Sequence, residues 1–139
     1  MLLVVDANIL IAALIKNSDT RKLLLSEELI LIAPEFLLEE IKKYLNYLSE
    51  KTKLDKEAVK DLLFEVVEKA EIKIYPAEEF KEKIKEAIEF TPDPKDAMYF
   101  ALALKQKAII WSNDKMLKNQ NKIEVITTAT LIKTVFSDS

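Results

Sequence analysis

The chain has 139 residues, a net charge of −3, and no glycine, histidine or cysteine. Without glycine it has neither a P-loop nor a glycine-rich dinucleotide turn, because those backbones need conformations that only glycine adopts freely. Without histidine and cysteine, histidine-based triads, thiol chemistry, iron–sulfur clusters and the usual zinc sites are excluded, leaving carboxylates, hydroxyls, amides and lysines as reactive groups.

Half of the residues are apolar and 32% are charged, with no linker, repeat or low-complexity segment, so residues 1–139 read as a single domain able to bury a core without disulfides. Residues 2–5 form a buried strand, 8–16 and 20–28 two helices, and 29–32 a second strand. Pro34 is expected to open a helix reaching residue 50, since proline suits a first helical turn. A helix over 56–70 follows, with Asp55 as its N-cap. A third strand at 72–75, a helix over 77–89, and a helix from Pro94 to residue 107 come next. The chain closes with strands at 108–111 and 124–126 and a helix over 128–136. Strands that are apolar throughout and alternate with helices imply an α/β fold, its mostly parallel sheet of about five strands covered on both faces. Asn17-Ser18-Asp19 and Asn119-Gln120-Asn121 are expected to make turns that glycine usually makes. No apolar run reaches the ~18–20 residues of a membrane span. Asp6 and Asn8 interrupt an N-terminal run that lacks the basic start of a signal peptide. The expectation is a cytoplasmic protein with no membrane association.

Ligands of open parallel sheets bind at the carboxyl ends of the strands. Asp6 directly follows the first strand and Asp114 the fourth, so the two acids are placed to share a cation if those strands are neighbours; each also suits a helix cap. On the helix after Pro34, Leu37, Ile41, Tyr44, Leu45 and Leu48 make an apolar stripe. Glu40 lies on its shoulder, at the rim of the core, whereas Glu39 points into solvent. Asp93 before Pro94 reads as an N-cap, and Asp96 as an acid at the mouth of a largely apolar helix.

Four segments together resemble a PIN domain: Val5-Asp6-Ala7-Asn8, the run from Pro34 to Ile41, Asp93-Pro94-Lys95-Asp96-Ala97 leading into Ala101-Leu102-Ala103, and Trp111-Ser112-Asn113-Asp114-Lys115. The resemblance spans the whole chain in order and spacing. It implies a three-layer α/β/α sandwich and a metal-dependent ribonuclease. The acidic set would fall on Asp6, Glu40, Asp96 and Asp114, as metal ligands and catalytic groups, with Asn8 and Ser112 in supporting positions and Asp93 as a secondary acid. It further implies a toxin inhibited by a small antitoxin protein, and a homodimer. One departure is Lys105-Gln106-Lys107-Ala108, which stands where the family carries a glycine before the fourth strand; it concerns the turn more than the chemistry.

Such a chemistry suits the inventory. Mg²⁺ and Mn²⁺ prefer oxygen ligands and can activate a bound water for attack on a phosphodiester. Carboxylates ~4 Å apart repel by up to about 4 kcal/mol at an effective dielectric near 20. The metal-free protein is therefore expected to hold at least one acid with raised proton affinity, or to spread the acids apart. Lys42 and Lys43 beside Glu40 are the candidate phosphate contacts, and Tyr44, Tyr47 and Phe36 candidate stacking surfaces. The alternatives are a PIN-like nucleic-acid or protein binding module that has lost catalysis, and a phosphoacceptor receiver domain.

Overall fold

The computed structural model describes residues 1–16 and 18–136. Five strands form one sheet: β1 (Leu2–Val5), β2 (Ile30–Pro34), β3 (Lys73–Tyr75), β4 (Ile109–Trp111) and β5 (Val125–Ile126). All pair in parallel, in the order β3-β2-β1-β4-β5. Leu3, Val4 and Val5 are fully buried, as a strand sandwiched between two helical layers requires. One layer gathers around α1 (Ala7–Lys16), which packs on α2 (Ser18–Leu24), α3 (Phe36–Lys42), α4 (Leu45–Thr52) and α5 (Lys56–Lys69). The other is built on α7 (Ala97–Gln106), which lies against β1, β2 and β4 and pairs with α6 (Ile84–Phe90). The closing helix α8 (Thr128–Phe136) contacts α2. Among the described residues no helix is long and apolar enough to cross a membrane.

Several boundaries differ from the sequence expectation. Pro34 ends β2 instead of opening a helix. Pairing of β2 with β1 stops at Ile32, so the amide that proline lacks is not missed on that side. The long helix expected to run to residue 50 is two helices, α3 and α4, broken at Lys43 and Tyr44, where Tyr44 has φ −103° and ψ 10°. The break lets α4 turn Leu48 into the core against α1 and α5 and leaves Tyr44 45% exposed. The helix expected over 77–89 begins as two 3-10 turns, Ala77–Glu79 and Lys81–Lys83, because Phe80 between them swings to φ −140° and is buried. Ser18 and Asp19 start α2 and do not make a turn, and α2 ends at Leu24, short of residue 28; Asn17 lies outside the described residues. Asp55 caps α5 as expected, its Oδ1 accepting from the Ala58 amide at 2.8 Å.

A chain without glycine must bend with other residues. Gln120 closes its turn with its own amide: Nε2 donates to the carbonyls of Leu117 and Ile123 at 2.9 and 2.8 Å, and Oε1 accepts from the amides of Lys122 and Ile123. Lys53, Glu71 and Lys107 adopt left-handed backbone, with φ of 64°, 54° and 55°. Lys107 does so at the end of α7, just where the motif lacks its glycine. Arg21, the single arginine of the chain, donates from α2 through Nε to the Ala13 carbonyl at 2.6 Å and through Nη2 to that of Leu14 at 3.4 Å. It thereby closes the last turn of α1, whose carbonyls have no partners within the helix.

Candidate active site

The strand order reverses about β1: β2 and β3 lie to one side, β4 and β5 to the other. In such sheets a crevice opens at the carboxyl ends of the strands beside the reversal. Asp6 leaves β1 there. Its amide donates to the Trp111 carbonyl on β4 at 3.1 Å, and its carbonyl accepts from the Ile9 amide at 3.0 Å. The backbone is thus pinned between sheet and helix. The side chain is 7% exposed. Its Oδ2 accepts from the Ser112 hydroxyl at 2.6 Å, and the Ser112 oxygen in turn accepts from the Asp114 amide at 3.0 Å. The buried Ser112 therefore ties the end of β1 to the loop after β4. Burial pushes the proton affinity of Asp6 up; the Ser112 hydrogen bond opposes this, and the charge of Glu40 adds to it.

Glu40 reaches the crevice from α3, half-buried, while Glu39 is exposed, as the helical angle requires. It accepts a hydrogen bond from the Tyr99 hydroxyl on α7. Asp96 ends the 3-10 turn Pro94–Asp96 that leads into α7, and its side chain caps no amide. Its carboxyl is pushed up to about 6, by burial first and then by the charges of Asp6, Asp93, Glu40 and Asp114. Asp93 is the N-cap of that turn: Oδ1 accepts from the Lys95 amide at 3.1 Å, and Oδ2 lies 3.6 Å from the Lys95 ammonium. Asp114 is exposed and caps the next 3-10 turn, its Oδ1 accepting from the Met116 amide at 2.9 Å.

These groups line one cleft of about 180 Å³: Asp6, Glu40, Asp96 and Asp114, with Asn8 and Asp93 beside them. Ala7, Tyr44, Lys95 and Met116 complete the wall. Lys42 and Lys43 are exposed and do not line it. They follow Glu40 in sequence, but a helix turns successive residues to different faces; the lysine at the rim is Lys95. Tyr44 is one of the stacking candidates, whereas Tyr99, Lys95 and Met116 are additions to the set expected from sequence. The signal for Tyr99 was its position three residues after Asp96, one helical turn away on the same face.

The donor set consists of oxygens alone, which suits a hard divalent cation. Among the described residues no three acids stand close enough together to be a ready ligand cage. Instead they ring the cleft, and Asp6 and Asp96 both hold protons more tightly than free carboxyls, burial leading and the neighbouring charges adding to it. Mg²⁺ keeps several waters and takes one or two carboxylates directly, so the ring fits such an ion without being a closed cage.

A family model described as "PIN domain" matches residues 4–132. Thirteen chains of solved structures match. Among them, VapBC2 from Rickettsia felis, solved bound to a DNA fragment from their promoter, superposes with a TM-score of 0.70 at 18% identity, covering 91% of this chain and 98% of that one. PAE2754 from Pyrobaculum aerophilum does so with a TM-score of 0.68 at 20% identity, covering 97% and 89%. No curated protein sequence matches. At these identities the superpositions speak for the fold.

Proposed function

Since the chain belongs to the PIN domain family, whose members are generally nucleases, we propose that it is a metal-dependent endoribonuclease working through Asp6, Glu40, Asp96 and Asp114. The observation that carries this reading is the meeting of four acids from four separate segments in one cleft, with Asp96 held at about 6 by burial and then by the charges of its neighbours. Carboxylates gathered without a compensating cation oppose folding, and a divalent ion relieves that opposition. Asp6, Glu40, Asp96 and Asp114 would hold Mg²⁺ or Mn²⁺. Once bound, such an ion lowers the pKa of a coordinated water and neutralises charge on phosphate oxygens.

The chain's own groups do the rest. Ser112 holds one oxygen of Asp6, and the backbone amides of Ala7 and Asn8 also donate to that carboxylate. Asn8 presents an amide at the cleft wall. Lys95 and the exposed Tyr44 and Met116 form a rim that suits a phosphate and an unstacked base. The likeness to VapBC2 supports a toxin role with an antitoxin protein as partner; action in the cytoplasm and as a homodimer belongs to the same proposal.

The test is cleavage of labelled single-stranded RNA by wild type, Asp6→Asn, Asp96→Asn and Asp114→Asn, with Mn²⁺, Mg²⁺ or EDTA. Metal-dependent cutting by wild type alone supports the assignment. Equal cutting by every variant, or cutting in EDTA, overturns it.

A further inference from the structure

Glu40 is restrained by a group that the acidic set does not include. The hydroxyl of Tyr99 donates to Glu40 Oε1. Tyr99 is 1% exposed, and its ring packs edge-on against Phe36, with centroids 6.2 Å apart and planes at 66°. Phe36 precedes Glu40 by one turn on α3, so one face of that helix meets both the ring and the hydroxyl of the same side chain. Tyr99 also follows Asp96 by three residues and belongs to the same end of α7. The ring is locked by packing, and its hydroxyl has the carboxylate as acceptor. Burial and the charges of Glu40 and Asp6 keep the phenol protonated, so it is a donor at any ordinary pH.

We propose that Tyr99 is a positioning residue, which takes up Oε1 of Glu40 and leaves Oε2 as the single oxygen available to a divalent cation. The contact also fixes α3 against α7, the two helices that bring Glu40 and Asp96 to the cleft. A carboxylate held this way loses little further freedom when it binds an ion. Partners of this kind, hydrogen-bonded to a ligating carboxylate, shift metal affinity or activity by about ten- to a hundredfold when removed. The inference rests on the nuclease reading above, since it assigns how one acid of that site is presented.

Tyr99→Phe deletes the hydroxyl and keeps the ring on Phe36. Free Mn²⁺ is followed by electron paramagnetic resonance during titration of wild type, Tyr99→Phe, Glu40→Gln and the double variant. The expected result is a loss of Mn²⁺ affinity of about tenfold or more for Tyr99→Phe, and no further loss when Tyr99→Phe is added to Glu40→Gln. In RNA cleavage kcat falls and KM for RNA is unchanged. If the phenylalanine variant does not fold, Phe36→Leu supplies a second test: it removes the ring that seats Tyr99 and alters no acid of the cleft, and it is expected to lose Mn²⁺ affinity in the wild-type background and not in Glu40→Gln. Wild-type affinity in Tyr99→Phe, or an equal loss in both backgrounds, makes Tyr99 a core residue only and overturns the inference while leaving the nuclease reading intact. Failure of the wild type itself to bind Mn²⁺ or to cut RNA overturns both.

Discussion

Replacing Asp96 by asparagine is expected to stabilise the metal-free protein at neutral pH while abolishing its activity. The carboxyl titrates at about 6 where an unperturbed aspartate titrates at 3.8, so the folded chain holds this proton more tightly than the unfolded one. Below the lower value both states are protonated and nothing is lost. Between 3.8 and about 6 the folded state carries the extra proton, so stability falls as pH rises; above that window the whole penalty is in force. The gap corresponds to about 3 kcal/mol at full effect. Solvent screening of a partly exposed group leaves roughly half of it. Because the Asp96 side chain caps no amide, asparagine forfeits only the favourable charge at the start of α7, about 0.5 kcal/mol. The net gain is about 1 kcal/mol at pH near 7.5, a rise of a few degrees in Tm, fading to nothing near pH 4. Urea denaturation in EDTA at several pH values reads this directly. Millimolar Mn²⁺ should then reverse the order of stabilities, since the ion binds the folded wild type more tightly than the variant. An asparagine variant no more stable than wild type at neutral pH, or a gain that does not depend on pH, would refute the electrostatic account.

Three further outcomes follow from the same geometry. Ser112→Ala removes the hydroxyl that holds Asp6 and leaves a buried carboxylate short of a donor. It should lower stability by about 1–3 kcal/mol and move the acidic limb of the pH–rate profile upward, both measurable on one preparation. Lys107→Gly relieves left-handed backbone at φ 55°; thermal melting should show a gain of about 1 kcal/mol, with cleavage unchanged. Tyr44→Ala should weaken binding of single-stranded RNA by about tenfold, the low end of one stacking contact, while Tyr44→Phe retains it. Fluorescence anisotropy reads the affinity, and an unchanged melting point is expected because the residue is 45% exposed.

Much of the frame is legible in the sequence. Apolar runs such as Leu2 to Val5 carry their own burial, and a parallel sheet is the arrangement that hides both faces. That frame puts Asp6 and Asp114 at neighbouring strand ends, and helical periodicity separates Glu40 from Glu39. What escaped depends on contacts between segments distant in sequence. The helix break at Tyr44 arises because α4 turns onto α1 and α5, which no local propensity records. Phe80 splits an otherwise helical run because it enters the core. Tyr99 sits in a largely apolar stretch, and the acceptor of its hydroxyl lies 59 residues away in sequence. Lys42 and Lys43 are near Glu40 in sequence, and in space Lys95 occupies the rim.

The placement of Arg21 also bears on how this protein responds to chemical probes. Guanidinium groups are the usual grip on phosphate, yet here the one available is engaged with the carbonyls of Ala13 and Leu14. Inactivation by an arginine-selective reagent such as a dicarbonyl would therefore report the loosening of the helix that starts beside Asp6. Substrate would give no protection against it, and the anion-binding duty falls to ammonium groups, which amine-directed acylation addresses instead.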